Sequence, residues 1–571
     1  MVFVHAKKST LDKYLKKNLT TEEIKETLVD LGMDLKGEIS IPFTADKNKS
    51  TSPTNSLEDT ELKIEITAEK MDMISTVGIA RAINYFRGYE TTLPNYELKK
   101  GKLEVHVKES ANKVRPKTVA AIIRNAPMNQ ELLDELIEIQ EKIHDSFGRH
   151  RKKAAIGIYP MDAITFPITF QGEKPEDIIF QPLESETEMS GNQIIKEHET
   201  GKKFAHLLNG KEYFPVFRDA KNNILSMPPI INSHTTGRVE AHHQDLFIEV
   251  SGHNITHLDN ILKVLVSTCI ELGCESETLK VKYPDKSVYE LSLKSSTDTI
   301  SLNYVNTLIG IDLKEKDIKK LLPKVQYGFK SIKNGEITVE IPAYKSDVWS
   351  DSDIADDIAR AYGYNNIIPT LPSVDSIGEE LEHSIFRTHI REQLVSLGFL
   401  ELYTYMLTSA KQQYEMMNIE TQEHIRIIDS AEDGINMART WILPENLKSL
   451  TINRKNKYPQ KVFECGFTIQ KDQTVDTKAR DDLHVSVSIA GPESNYTKIK
   501  EIVDTLAILN NWKIEFKKST HTSFIEGRSA DIYCNGKYIG VLGEIQPQVL
   551  ESNNLIVPIC SLEVNLEKLF Q

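Results

Sequence analysis

The 571-residue chain has little of what usually settles a protein's class. Its five cysteines, at 269, 274, 465, 534 and 560, are scattered and odd in number. None forms a CxxC or another zinc-ligand spacing, which argues against a zinc knuckle and a disulfide scaffold and fits a reduced, cytosolic compartment. No apolar run approaches the roughly 20 residues needed to span a bilayer, so no membrane helix is expected. The opening "MVFVHAKKST" reaches lysines after only a few apolar residues and does not read as a signal peptide. Positive charge is in the minority. A formal net charge of −14 argues against a general nucleic-acid coat but not against a local basic face.

Catalytic signatures are missing as well. There is no P-loop, no GxSxG elbow, no HExxH, and no GxGxxG after a strand. The sixteen histidines do not cluster apart from His242-His243, which lie in a polar run. By motif alone the chain does not announce an enzyme.

What is present is ordinary globular material, 40% hydrophobic and 27% charged, in a chain long enough for about three to five domains. Residues 44–60 are polar, rich in Ser, Thr, Asn and Pro, and read as a loop or mobile insertion. After them "ELKIEITAEK" alternates like a strand, and a helix follows with Ile79, Ala82, Ile83 and Phe86 on one face. From about Lys102, "KLEVHV", "TVAAIIRN", "AAIGIYP", "AITFPITF" and "DLFIEVSG" read as strands, and "QELLDELIEIQEKIHDSFG" is an amphipathic helix with Gly148 near its end. Further on, "KDIKKLLPKVQYGF" is helical, and "FKSIKNGEITVEIP" is a hairpin turning on Asn334-Gly335. The last part carries helices over "SIFRTHIREQLVSLG" and "YTKIKEIVDTLAIL", strands over "FLELYTYML" and "KVFECGFTI", and a hairpin turning on Asn535-Gly536. Helices mixed with antiparallel strands predict an α+β multidomain protein, not a doubly wound one.

Two kinds of charge cluster stand out. "NKVRPK" (112–117), "GRHRKK" (148–153) and "NRKNKYPQK" (453–461) are candidate basic patches, each also readable as a solvated surface. "SDVWSDSDIADDIARAYGY" (346–364) gathers acids, with Asp353, Asp356 and Asp357 at i, i+3 and i+4 on one helical face and Asp347 just upstream. Aspartates collect at helix starts because they cap the helix and complement its dipole, which accounts for Asp351 and Asp353 better than for Asp356 and Asp357. The other reading is a hard divalent cation, since Mg²⁺ prefers carboxylate oxygens. Spacing alone does not decide between them. A two-metal phosphoesterase reading finds no nucleotide-handling loop nearby.

Taken with its surroundings, "IPAYKSDVWSDSDIADDIARAYGYNNI" resembles the B5 segment of phenylalanyl-tRNA synthetase β subunits. "EKMDMISTVGIARAINYF" (69–86) resembles the family's B1 signature, and "GRHRKKAAIGIYPMDAITFPITF" (148–170) with "PPIINSHTTGRV" and "DLFIEVSG" resembles its B3/B4 domain. "NMARTWILPENLKSL" (436–450), "KVFECGF" and "EGRSADIYCNGKYIGVLGEIQPQVL" (526–550) resemble its C-terminal catalytic-like module. The resemblance covers nearly the whole chain, in the family's order, and is nearer to the archaeal and eukaryotic cytosolic form.

The resemblance implies four domains: a B1-like domain at 1–95, a B3/B4-like editing domain at 100–275, a B5-like domain at 297–372, and a non-catalytic, class II synthetase-like antiparallel sheet with flanking helices at 378–571. It implies an Mg²⁺ ion held by Asp347, Asp353, Asp356 and Asp357, which match the family's spacing without a gap. It implies an α₂β₂ assembly in the cytoplasm, in which a separate α subunit uses ATP and phenylalanine to charge tRNA(Phe). Arg439 keeps the position of an ATP-phosphate arginine, and a buried or interface role is the expectation here. The resemblance also implies hydrolysis of tRNA mischarged with tyrosine, in a pocket formed by Phe217, Ser226, Glu249 and Ser251. Glu249 and Ser251 stand where the archaeal-type pocket usually has Asp and Thr. Those two substitutions keep open an alternative, a non-editing scaffold that only docks the α subunit and tRNA.

Overall fold

Two Asn-Gly pairs turn the chain as the sequence demands. In the computed structural model, which describes residues 2–42 and 58–570, Asn334 and Gly335 take φ of 53° and 80°, and Asn535 and Gly536 take 51° and 79°. Positive φ at both central residues matches the right-handed twist of the flanking strands, so each pair closes a tight hairpin. The hairpins join Gly328–Lys333 to Glu336–Ile341 and Phe524–Cys534 to Lys537–Ile545. The polar stretch 44–60 falls outside the described residues except at 58–60, which open the strand Glu58–Ile66.

The chain divides into two units, Met1–Leu371 and Pro372–Gln571. In the first, a three-stranded antiparallel sheet has Glu58–Ile66 between Val2–Lys7 and Asp34–Pro42. Helix Thr76–Phe86 buries Ile79, Ala82 and Ile83 in the core of that sheet. A four-stranded antiparallel sheet follows, in the order Glu275–Glu277, Lys117–Arg124, Leu246–Gly252, Ala154–Pro160. Helices Gln130–Asp145 and Ile255–Glu271 cover one face of it, Leu136, Ile143 and Leu262 meeting Val119, Ile156 and Ile248. Its other face, through Ala120, Tyr159 and Phe247, meets Val105, Phe170 and Phe217 of a seven-stranded mixed sheet. A third core lies around Ser296–Ser301 and the second strand of the Asn334-Gly335 hairpin, closed by helices Glu315–Lys324 and Asp351–Tyr362.

The second unit is a seven-stranded sheet. Gln460–Lys471, Ala479–Ala490, Ile559–Asn565, Lys537–Ile545, Phe524–Cys534 and Ile514–Lys518 run antiparallel in that order. Leu400–Glu401 pairs parallel at one edge. Helices Glu382–Ser396 and Tyr496–Asn510 cover it through Ile390, Leu394, Ile499, Val503 and Leu506. The expected strand over "FLELYTYML" is not formed. Only Leu400–Glu401 and Leu407–Thr408 pair, and Tyr403 and Tyr405 between them are 97% and 87% exposed. Strand-favouring residues alone do not make a strand where no neighbour accepts its backbone bonds. Several mainly antiparallel sheets with helices packed on them make the chain an α+β multidomain protein, as expected.

Candidate functional site

Strand Leu246–Gly252 is buried along its whole length, flanked by Lys117–Arg124 on one side and Ala154–Pro160 on the other. A carboxylate in such a strand is unusual, because removing a charge from water is costly unless a partner is supplied. Glu249 is nonetheless 1% exposed. Its register partner on Ala154–Pro160 is Gly157, where an added Cβ would fall 2.5 Å from Glu249 Oε1. The glycine makes room for the carboxyl.

The hydroxyl of Tyr159 donates to Glu249 Oε1 at 3.2 Å and lies 2.6 Å from Ser226 Oγ. Glu249 Oε2 is buried with no hydrogen-bond partner among the described residues. Burial pushes the Glu249 carboxyl up to about 8 against the pull of Arg115, so near neutral pH it is largely protonated. A neutral carboxyl can both donate and accept.

Glu249 and Ser226 line a cavity of about 640 Å³, together with Gln140, Arg151, Ile158 and His234. A larger and more open groove of about 1050 Å³ lies in the second unit, between Arg454 and Ile556. None of that groove's lining residues carries a buried, unpaired polar atom among the described residues, whereas the smaller cavity has Glu249 Oε2 and Arg151 Nε. An unpaired buried acceptor invites a donor from a ligand. The smaller cavity is therefore the candidate site.

Of the four residues expected here, Ser226 and Glu249 are brought together through Tyr159. Phe217 is the register partner of Ser226, but its ring is fully buried and stacked on Phe170 with centroids 4.3 Å apart. It supports the floor from behind. Ser251 shares the Glu249 side of the strand, is fully buried, and accepts a bond from Arg115 Nε at 3.2 Å. Sequence reasoning missed Tyr159, Gly157 and Arg115. The alternation in "AAIGIYP" puts Gly157 and Tyr159 on one face, but only the pairing with Leu246–Gly252 makes that face the one carrying Glu249.

The acidic stretch is arranged differently from the expectation. Helix Asp351–Tyr362 does carry Asp353, Asp356 and Asp357, yet their carboxylates do not converge. Asp353 turns back to the helix start, accepting from Trp349 N at 2.8 Å and Ser350 N at 2.7 Å in a capping box. Asp356, 51% exposed in its side chain, pairs with Arg360 at 2.9 Å and accepts from the Tyr364 hydroxyl. Only Asp347 and Asp357 face each other, and two lysines stand with them. Lys70 reaches Asp347 at 2.5 Å and Asp357 at 3.3 Å, and Lys345 reaches Asp357 at 2.7 Å. Tyr327 adds a hydroxyl donor to Asp357 at 2.9 Å. Burial opposes the charged form of Asp357, but Lys345 and Lys70 outweigh it and hold the carboxyl below its usual range.

Four aspartates acting together on one Mg²⁺ ion do not fit this arrangement. Among the described residues no three Asp, Glu, His or Cys side chains come together as a metal-holding group. Successive residues on a helix point about 100° from each other, which is enough to send Asp356 to solvent and Asp357 into the core. Arg439 is 2% exposed and spends its guanidinium inside the second unit. It donates to Glu464 at 2.7 Å, Thr404 at 2.8 Å and the Phe467 carbonyl at 2.8 Å, as a buried structural arginine would.

Three family models match along the chain. They are the Phe-tRNA synthetase beta subunit B1 domain over residues 1–89, the tRNA synthetase B5 domain over 299–364, and the phenylalanyl tRNA synthetase beta chain CLM domain over 367–566. The phenylalanine–tRNA ligase beta subunits of Pyrococcus abyssi and Pyrococcus horikoshii are 35% and 36% identical over 501 residues, covering 88% of this chain and 90% of each relative. An N-terminal fragment of the phenylalanyl-tRNA synthetase beta subunit from Pyrococcus horikoshii superposes with a TM-score of 0.58 at 30% identity. It covers 63% of this chain and 99% of the fragment.

Proposed function

This chain belongs to the phenylalanine–tRNA ligase β-subunit family, of archaeal type, and on that premise we propose that its first unit hydrolyses tRNA(Phe) mischarged with tyrosine. One observation carries the reading: Glu249 Oε2, buried and without a hydrogen-bond partner among the described residues, on the wall of a cavity of about 640 Å³. Tyrosine is phenylalanine plus one hydroxyl, and an apolar pocket rejects an added hydroxyl by only about 100-fold, so a charging site needs a second check. A site built around an unpaired acceptor selects the hydroxyl instead. The phenol of tyrosine satisfies Oε2, whereas phenylalanine leaves it unpaired at a loss of about 1–3 kcal/mol. Tyr159 and Ser226 hold the carboxyl so that Oε2 is the oxygen left for the ligand. The test is deacylation of Tyr-tRNA(Phe) by the assembled complex. Glu249→Ala should lower kcat/KM for it by about 10- to 100-fold and leave phenylalanine charging intact. Deacylation that survives the substitution would sink the reading.

The rival reading, a scaffold that only docks the α subunit and tRNA, rests on the same hydroxyl. Tyr159 already sits where a substrate phenol would bond to Oε1. It leaves Oε2 unexplained, and we place it second.

Charging of tRNA(Phe) with phenylalanine and ATP belongs, in this reading, to a separate α subunit in an α₂β₂ cytoplasmic assembly. Support comes from the buried pairing of Arg439 with Glu464, which leaves that arginine unavailable to a nucleotide phosphate. The exposed Ile385, Val395, Leu400, Tyr403 and Tyr405 are the apolar side chains we assign to α-subunit docking, since apolar side chains of this size gain most when a partner covers them. We read the second unit as the class II-like, non-catalytic module and place the domain boundaries at 1–95, 100–275, 297–372 and 378–571. Magnesium enters no step here, because the aspartates that the resemblance assigns to it meet lysine, arginine, tyrosine and backbone donors, with Asp347 Oδ1 buried, without a hydrogen bond among the described residues, and 3.7 Å from Lys345 Nζ.

A further inference from the structure

Two of the basic runs seen in the sequence, 112–117 and 148–153, come together at one small cavity. About 310 Å³ in volume, it is lined by Arg115, Lys152, His206, Lys211 and His253, with Val114, Pro215, Pro229 and two leucines completing it. No carboxylate lines it, on a chain whose acids outnumber its lysines and arginines by 14.

Arg115 is the floor of this cavity, 3% exposed. Its bonds go to neutral acceptors alone: Ser251 Oγ at 3.2 Å, the Ser251 carbonyl at 2.5 Å and the Arg151 carbonyl at 3.5 Å. No carboxylate oxygen is among its hydrogen-bond partners in the described residues. Burial pushes Arg115 down to about 10, with Glu249 pulling the other way. A buried cation with no carboxylate bonded to it is costly to keep unless a counter-charge arrives from outside. Lys152, His206, Lys211 and His253 stand at the exposed rim, and Lys211 is drawn inward by the Val114 carbonyl at 3.4 Å. Burial, then Arg115 and Lys211, hold the His253 imidazole below its usual range.

The cavity adjoins the candidate editing site. Pro229 lines both, Arg115 is bonded to Ser251 two residues from Glu249, and Arg151 and Lys152 are successive residues that line one site each. The ester to be cut in the proposed reaction sits on the last ribose of an RNA, and that ribose carries a phosphodiester on its 5′ side.

We propose that this cavity is an anion site that takes the backbone phosphate next to the terminal ribose of an RNA 3′ end, with Arg115 and Lys211 as its main ligands. This rests on the editing reading for its RNA, but it is tested separately. The full-length chain is titrated with the trinucleotide CCA, with adenosine, and with inorganic phosphate, in wild type, Lys211→Ala and the double variant Lys152→Ala/Lys211→Ala. These lysines are exposed, so their loss leaves the fold intact, while Arg115→Met adds the buried ligand. We expect CCA binding to weaken by about 10-fold or more in the double variant, with the slope of log affinity against log salt flattened by about 1.4. Adenosine should bind no differently, and phosphate alone should compete with CCA. Equal CCA affinity and salt slope in wild type and double variant would overturn the proposal, as would an equal loss for adenosine. If Tyr-tRNA(Phe) is not hydrolysed but CCA binding still depends on the lysines, the editing reading fails and the anion site stands. If hydrolysis proceeds with an unchanged KM in the double variant, the anion site fails and the editing reading stands.

Discussion

Two regions of the first unit bury carboxylates, and they solve the problem in opposite ways. Around Asp347 and Asp357 the fold brings its own cations: Lys70 and Lys345 are each within 3.3 Å of a carboxylate oxygen, and Tyr327 adds a hydroxyl. Around Glu249 the fold brings the Tyr159 hydroxyl to one oxygen and, among the described residues, no hydrogen-bond donor to the other, with Arg115 as the cation that pulls on it from nearby. A group whose charge is cancelled internally has little left to offer a ligand. A group left protonated, with an open acceptor on a cavity wall, is poised for one. Density of acids along the sequence pointed to the first region, but the incomplete environment singles out the second.

Four measurements break or sharpen this contrast. Lys70→Met leaves Asp347 and Asp357 with Lys345 as their one ammonium, and should destabilise the chain by about 3–5 kcal/mol, read as a lower denaturant midpoint. A loss smaller than a surface ion pair would show that Lys70 is not the counter-charge. Next in size is the pH dependence of Glu249. Its carboxyl is raised from 4.5 to about 8, so the folded state keeps a proton that the unfolded chain releases in between. The stability this contributes is fully present below about pH 4.5 and is lost as pH rises through about 8, at no more than about 1.4 kcal/mol per unit. Glu249→Gln keeps the neutral form, so its melting temperature should gain on wild type across that window and level off above it. Parallel curves would mean that Glu249 is ionised in the fold. Tyr159→Phe removes one hydroxyl and should slow Tyr-tRNA(Phe) deacylation about 3- to 10-fold without affecting charging. An unchanged rate would remove Tyr159 from the positioning of Glu249. Smallest of all is the effect of magnesium: adding EDTA or Mg²⁺ should move the melting temperature of the lone chain by less than about 1 °C. A clear shift would restore the ion to the aspartates.

Much of the fold was legible locally. Asn-Gly pairs set both hairpins, helix periodicity located Thr76–Phe86 and Gln130–Asp145, and Leu246–Gly252 read as a strand from its apolar run. "FLELYTYML" misled because its residue types are a property of the chain, while a strand also needs a neighbour. At the candidate site, Glu249 and Ser226 were legible and Tyr159 was not. At the acidic helix, the spacing was legible and its counter-ions were not. Lys70 lies 277 residues before Asp347, and Tyr159 lies 90 before Glu249.

By itself the sequence determined the elements, their turns and caps, and which residues carried charge, because each of these depends on neighbours a few positions away. Only the tertiary structure decided which charges were cancelled and which were left open. The energy of a buried charge depends on distance and on exclusion of water, and neither follows from order along the chain. So four aspartates close in sequence were parted among cap, solvent and lysines, while Glu249 met its partners from remote strands on a cavity wall where it is 1% exposed.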